Sequence, residues 1–296
     1  VTRAAGIDVG GTKCLGVVID SDADIRSEHD IIREVRNPTP HASQLVAALA
    51  VLAGQLGECD TLGVGVPGLI TLDGVMRASP NIPGSVDVAV GPELSDLLGR
   101  QVHVDNDGNL AALAEWHCGA GRGARNMWMV TLGTGIGGGH IVAGKIQRGV
   151  NGFAGEIGHM VVNPDGPRCT CGRKGCWEVY ASGRGLKMLA AGEPGESVIE
   201  RARQGDADAV TVIEAFARWV AIGLSNVTNF SDPDVIVIGG GVSENADIVM
   251  PIVRRWFVEL LYSPEQRTHP DLRVAQLGEH AGAIGAALLP RVTIGG

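Results

Sequence analysis

Apolar and polar positions along the chain fall into short buried runs broken by glycine-rich turns. From Ala5 to Asp20 the pattern predicts a strand running into Asp8, a turn at Gly10-Gly11-Thr12-Lys13, and a second strand over Leu15 to Ile19. Gln44 to Leu56, rich in Ala, Leu and Val, predicts a helix. Thr61 to Val66 predicts a buried strand that ends at Pro67-Gly68. Val102 to Val104 predicts another, running into Asp105-Asn106-Asp107, with a helix following from about Asn109 to Cys118. The second half opens as the first does: an apolar strand over Asn126 to Leu132, a Gly/Thr turn over Gly133 to Gly139, and a strand over His140 to Ala143. A long helix is expected from Ala209 to Asn229, a parallel-type strand over Val235 to Ile238 entering Gly239-Gly240-Gly241, and a small-residue helix over Glu279 to Leu289. Mixed strands and helices predict an α/β protein, and the repeated strand–turn–strand unit suggests a duplication with a cleft between the halves.

Composition narrows this picture. At 296 residues, with 45% hydrophobic and 19% charged residues, the chain can bury a substantial core in two domains or one large one. The 44 glycines form no collagen-like or linker-like repeat and cluster at the expected turns. A net charge of −9 with no long basic run argues against a nucleic-acid partner. The N-terminal apolar stretch is broken by Asp8, and Leu45 to Ala53 is too short to cross a bilayer, so neither a secretory signal nor a membrane partner is expected.

The six cysteines carry the most specific signal. Cys169, Cys171 and Cys176 fall within eight residues, and His159 lies ten residues upstream of the first. Three thiolates and one imidazole match a closed, tetrahedral structural zinc site, whereas thiols one residue apart suit a mutual disulfide poorly. Metal-type spacing fits a reducing interior, so a cytoplasmic protein is expected, with Cys14, Cys59 and Cys118 as buried small hydrophobes. The cluster stands between Glu156 and His159 on one side and Glu178 on the other, so a metal there would gather two carboxylates and an imidazole.

Three glycine turns are candidates for phosphate handling. In Asp8-Val9-Gly10-Gly11-Thr12-Lys13, backbone N–H groups could converge on phosphate oxygens with Thr12 and Lys13 adding donors, and Asp8 could hold Mg²⁺ through water. A plain hairpin turn explains the same residues equally well. Gly133-Thr134-Gly135-Ile136-Gly137-Gly138 contains a formal G-x-G-x-x-G, but strand is expected after it where a dinucleotide site needs helix, so a second phosphate hairpin fits better. Gly239 to Gly241 could admit a flat ring or a sugar against bare backbone, or be a close helix–strand junction. Asp107 reads either as a general base for a hydroxyl proton or as a helix N-cap, a role open to Asn109 or Asp105 as well. Glu156 and His159, three apart, share a face of any helical turn. Asn81 and Gly68 lie on loops that could add an amide side chain and backbone amides. Converging carboxylates and amides suit a polyol, whose hydroxyls both donate and accept.

Taken in order, Asp8-Val-Gly-Gly-Thr-Lys, Asn106-Asp107, Gly155-Glu156-Ile-Gly-His159, the Cys169 to Glu178 motif and Gly239-Gly-Gly241 resemble the ROK family (repressors, open reading frames, kinases) over nearly the whole chain. The resemblance implies a two-lobed, actin-like ATPase (ribonuclease H-like) fold with a zinc-binding loop. It implies a small lobe of 1–107 with 281–296, and a large lobe of 108–280 carrying the zinc motif and the dimer surface. The implied activity is ATP-dependent phosphorylation of a hexose 6-hydroxyl, glucose first, with N-acetylmannosamine or N-acetylglucosamine as alternatives. Asp107 would be the base, with Gly68, Asn81, Asn106, Asp107, Glu156, His159 and Glu178 on the sugar. Asp8, Gly10, Gly11, Thr12, Lys13, Gly133, Thr134, Gly135, Gly239, Gly240 and Gly241 would serve Mg–ATP, and His159, Cys169, Cys171 and Cys176 would hold Zn²⁺. A homodimer or dimer of dimers is implied. Regulators of the family add an N-terminal helix-turn-helix, for which no room is expected ahead of Asp8, so a non-catalytic sugar sensor is the lesser reading.

Overall fold

The computed structural model describes residues 2–25 and 28–294. Residues 1, 295 and 296, the outer ends of the expected small lobe, lie outside the described residues. In chain order the elements are β1 (Arg3–Val9), β2 (Lys13–Asp20), β3 (Ile31–Pro38), α1 (Leu45–Leu56), β4 (Thr61–Val66), β5 (Leu69–Ile70), β6 (Met76–Ala78), β7 (Val86–Val88), α2 (Val90–Leu98), β8 (His103–Asn106) and α3 (Asp107–Cys118). They continue as β9 (Asn126–Leu132), β10 (Ile136–Val142), β11 (Lys145–Ile146), α4 (Trp177–Ala181), α5 (Gly183–Leu189), α6 (Gly195–Arg203), α7 (Ala207–Ser231), β12 (Val235–Gly239), α8 (Ala246–Leu260), β13 (Asp271–Val274) and α9 (Ala281–Ile294). Every element expected from the apolar pattern is present, most within about two residues of its bounds. No described helix is long and apolar enough to cross a membrane.

Two five-stranded sheets share one plan. The first has the order β3-β2-β1-β4-β8 and the second β11-β10-β9-β12-β13. In the first, β1, β2 and β3 pair antiparallel, while β4 runs parallel to β1 and β8 parallel to β4. In the second, β12 lies parallel to both β9 and β13. The repeated strand–glycine turn–strand pattern is therefore the start of the same topology twice.

The chain forms two compact units, Val1–Gly123 with Gly139–Gly155 and Gln276–Gly296, and Ala124–Gly138 with Glu156–Ala275. Helix α3 belongs with the first, whereas the sequence division at 107/108 put it in the larger lobe. Its partner is α9, which approaches so closely that a Cβ on Gly285 would stand 1.9 Å from the Leu110 carbonyl oxygen. The same helix lies on the sheet at Gly63, where a Cβ would meet the Ala286 carbonyl oxygen at 1.9 Å. Apolar spacing builds each core. On α1, Leu45, Leu49, Leu52 and Leu56 turn one face onto the sheet at β1, β2 and β3, in one core with Ile7, Val9, Leu62 and Val64. In the second unit, α7 is capped by Asp206, whose carboxylate accepts from the Asp208 and Ala209 N–H groups. Its Ile213, Phe216, Val220, Leu224 and Val227 pack with Trp128, Val130, Ile236 and Ile238 of β9 and β12.

Candidate active site

In the first unit, β1 delivers Asp8 to the sheet's end, opposite Gly65 of β4. Its Oδ1 is buried with no hydrogen-bond partner. Burial, then the nearby Asp107, push the Asp8 carboxyl up to about 7, with Lys13 opposing the shift. The first turn of α9 closes over it: a Cβ on Gly282 would lie 2.6 Å from the Asp8 Cγ. A half-buried acid at a strand end, with one oxygen buried and unpartnered, is a fitting place for a cation or its bound water, so Asp8 suits the Mg²⁺ role.

The Gly10 to Lys13 turn is a hairpin closed by the Gly10 N–H donating to the Lys13 carbonyl at 2.9 Å. Thr39 braces it, its hydroxyl donating to the Gly10 carbonyl at 2.6 Å. Gly11 and Thr12 are exposed, and Asn81 stands beside Gly11, its Cβ 3.9 Å from where a Gly11 side chain would begin. The Lys13 ammonium is ion-paired with Glu279, which also accepts from Arg36 at 2.8 Å. Lys13 is thus held on the rim of the turn, a partnership that sequence gave no sign of.

The β8–α3 corner shows which residue caps the helix. Asn106 is the N-cap: its Oδ1 accepts from the N–H groups of Gly108 (2.8 Å) and Asn109 (3.2 Å), and its Nδ2 donates to the Gly68 carbonyl at 3.0 Å. Asp107 begins the helix and is released from the capping role, as are Asp105 and Asn109. Asp105 is buried instead, accepting from the Asn106 N–H (2.8 Å), Asn109 Nδ2 (2.9 Å) and Arg148 Nε (2.6 Å). A carboxylate out of water needs such partners, and these fix the corner that presents Asn106 and Asp107. Glu115, fully buried on α3, accepts from the N–H groups of Ala120, Gln276 and Leu277 at 2.7–2.9 Å. Burial pushes its carboxyl up and the three donors pull it back. Sequence reasoning missed Arg148 and Glu115, because each works through partners distant in the chain.

In the second unit, Glu156 precedes a short 3-10 turn, Ile157–His159, so Glu156 and His159 share a face as expected. The His159 ring faces two ways, with Nδ1 3.7 Å from the Cys169 sulfur and Nε2 3.9 Å from a Glu156 oxygen. The Cys171 and Cys176 sulfurs are 3.6 Å apart, and the four ligand atoms all lie within 4.8 Å of one another. Ligand atoms on a tetrahedron with Zn–S of ~2.3 Å and Zn–N of ~2.0 Å stand roughly 3.6–3.8 Å apart, so this set fits Zn²⁺. Burial, then its two thiol neighbours, push the Cys176 thiol up to about 12, while the neighbouring groups hold the Cys171 thiol below its usual range. All six cysteines are free; Cys14 and Cys118 are buried as expected, but Cys59 is only half-buried. The loop is shaped by backbone bonds, the Cys169 N–H donating to Arg173 at 2.8 Å and the Gly172 N–H to Cys169 at 3.0 Å. Trp177, directly after Cys176, anchors it: the ring is fully buried and donates to the Trp219 carbonyl at 2.8 Å.

Glu178 lies on α4 one residue further. Its Oε2 accepts from the Ile136 N–H at 3.0 Å, where β10 begins directly after the second glycine turn and four residues earlier than the expected strand at His140, and its Oε1 accepts from the Cys169 thiol at 3.5 Å. Burial and Glu178 raise the Glu156 carboxyl, which remains 37% exposed, while His159 lowers it. In the second turn Thr134 is exposed and the Gly133 carbonyl accepts from the Gly183 N–H at 2.8 Å. The third turn lies on the second: Gly240 has φ +85°, and a Cβ there would come within 2.6 Å of the Leu132 carbonyl. Gly239–Gly241 is also a junction, since a 3-10 turn and α8 follow it.

The structure therefore brings Asp8, Gly10 to Lys13, Gly68, Asn81, Asn106 and Asp107 together in one unit, and the other expected residues in the second. The ROK family profile matches residues 4–292. The chain belongs to the ROK family. Among its relatives, this ROK protein is 35% identical to a glucokinase of Streptomyces coelicolor, over 97% of this chain and 96% of that protein. It is 34% identical to an N-acetyl-D-glucosamine kinase of Vibrio cholerae, over 96% and 98% of the two chains. A solved structure of a ROK family glucokinase from Streptomyces griseus, in complex with glucose and AMPPNP, matches it with a TM-score of 0.84 and 35% identity over 97% and 98% of the chains. The fold is the actin-like ATPase, ribonuclease H-like α/β fold expected from the motifs.

Proposed function

We propose that this ROK protein transfers the γ-phosphoryl group of ATP to the 6-hydroxyl of glucose. The observation that carries the reading is the β8–α3 corner, where Asn106 caps the helix and Asp107, its first residue, stands near enough to Asp8 to raise the Asp8 carboxyl. Relatives and a solved structure with glucose and AMPPNP support the substrate classes. Asp107 takes the hydroxyl proton as the sugar oxygen bonds to phosphorus and the bond to ADP breaks. Asn81, Asn106, the Gly68 backbone, Glu156, His159 and Glu178 take the remaining hydroxyls, the roles that the family resemblance implies for them. The amides of Gly10, Gly11, Gly133, Gly135 and Gly239 to Gly241, with Thr12, Thr134 and Lys13, receive the nucleotide. Asp8 would hold Mg²⁺, which when bound neutralises charge on the phosphates. His159, Cys169, Cys171 and Cys176 would hold a structural Zn²⁺. A cytoplasmic homodimer or dimer of dimers, with the two units serving as the family's small and large lobes, belongs to the same reading.

A coupled ADP-release assay with Mg–ATP tests it against glucose, mannose, fructose, N-acetylglucosamine and N-acetylmannosamine. Turnover concentrated on glucose is expected. Preference for an N-acetylated sugar, which the Vibrio relative's comparable identity favours as the second reading, keeps the chemistry and changes the substrate. Silence on all five sinks the kinase.

The zinc loop gives a second expected result. Cys171→Ser should lose bound zinc, measured by elemental analysis, and weaken glucose binding at least about tenfold, since the metal orients His159 and its neighbours. Metal loss with native glucose affinity would show that the loop does not shape the sugar site.

A further inference from the structure

Gly135 is a glycine whose backbone does not need one. It is absent from the positions with positive φ, where freedom from a side chain is required, whereas Gly240 and Gly172 are among them. What Gly135 does need is space: a Cβ there would sit 2.2 Å from Glu178 Oε2 and 3.1 Å from its carboxyl carbon. No side chain fits while Glu178 keeps its place. The carboxylate uses that place to accept the Ile136 N–H at 3.0 Å, a charge-assisted bond that clamps the second glycine turn. The backbone of Glu178 is fixed beside buried Trp177, which is pinned by Trp219 and by Gly223, where a Cβ would meet the indole at 1.9 Å; its carboxylate could make room for a side chain at Gly135 only by swinging away and giving up the Ile136 N–H.

We propose that Glu178 serves both substrates, holding a sugar hydroxyl with the carboxylate that also fixes the donor-phosphate turn, so that hexose and nucleotide binding are coupled through this one side chain. The inference rests on the kinase reading above, which supplies the two ligands. Each carboxylate oxygen has two lone pairs, so Oε2 can accept the Ile136 N–H and a hydroxyl together. A hydroxyl bound there restrains the carboxylate in the orientation that clamps the turn. Ordering the turn in advance lowers the cost of ordering it around phosphates, so the coupling is positive. Linkage then requires that nucleotide tighten sugar by the same factor that sugar tightens nucleotide.

The test is isothermal titration of the zinc-replete protein with Mg–ADP and with glucose, each alone and in the presence of the other. In the wild type each ligand should tighten the other by the same factor, about fivefold or more. Glu178→Asp is one methylene too short to reach Ile136, so it should weaken Mg–ADP even with no sugar present and bring the coupling factor to about one. A residue that only touched sugar would leave sugar-free nucleotide binding untouched. Gly135→Ala should weaken glucose about tenfold with no nucleotide present, an effect of the donor turn on the acceptor. The double variant should be less than additive, because the shorter Asp makes room for the new methyl. Native Mg–ADP affinity in sugar-free Glu178→Asp, or strict additivity, would overturn the proposal. Glu178→Asp keeps the question open to refutation if circular dichroism shows Gly135→Ala unfolded. A wild type that binds no hexose brings down the kinase reading and the coupling together; a wild type that binds both ligands independently brings down the coupling alone.

Discussion

Asp107→Asn is expected to fold as the wild type does, bind glucose with nearly native affinity, and turn over at least about 10²-fold more slowly. The structure separates these properties. Capping of α3 rests on Asn106, and burial of the corner rests on Asp105 with Arg148 and Asn109, so neither depends on the Asp107 charge. The Asp107 carboxylate accepts from the Gly108 N–H at 2.9 Å, which an Asn side-chain oxygen can also do. What Asn cannot do is take the proton from a hydroxyl. The substitution also removes the second-largest cause of the raised Asp8 carboxyl. The variant's Asp8 should therefore titrate lower, a shift readable by carboxyl-resolved NMR and independent of turnover. A kcat within a few-fold of wild type would remove Asp107 from the base role, and a loss confined to KM would make it a binding group only.

How far the sequence carries depends on how local each cause is. The two glycine hairpins are legible because apolar strands flank them and the turn chemistry lies between. The Cys169 to Cys176 cluster is legible because its ligands are close in sequence and their chemistry is uncommon. Helix ends are less legible: Asp105, Asn106, Asp107 and Asn109 are all capping residue types, and only geometry chooses Asn106 among them. The packing of α3 on α9 is hidden for a similar reason, because the two helices are far apart in the chain and no local pattern announces their contact. Arg148, Glu115 and the Lys13–Glu279 pair were invisible because a charged residue reads as a solvated surface group until its partner is known. Trp177 was in plain view inside the cysteine motif, and an apolar ring among glycines and charges was the signal that the loop is nailed to a core.

Asp8→Asn should stabilise the ligand-free protein at pH 8 while abolishing most of its turnover. In the folded chain burial and Asp107 raise the Asp8 carboxyl from 3.8 to about 7. Between those values the folded protein keeps a proton that the unfolded chain has released. Stability therefore falls as pH rises from about 4 to about 7 and levels off above, by up to about 4 kcal/mol for a shift of about three pH units. Asn carries no such charge, so the variant's melting temperature should lack this slope, exceeding that of the wild type at pH 8 and approaching it near pH 4. Turnover should fall by at least about 10²-fold, because a neutral amide holds a cation and its waters far less well than a carboxylate. Mg–ADP should raise the melting temperature of the wild type at pH 8 much more than that of the variant, since a bound cation rewards the ionised, otherwise unpartnered Asp8. A variant less stable than wild type at pH 8 would mean that the ionised carboxylate is well satisfied in the fold, and the strain at this strand end would not be there to be spent on binding.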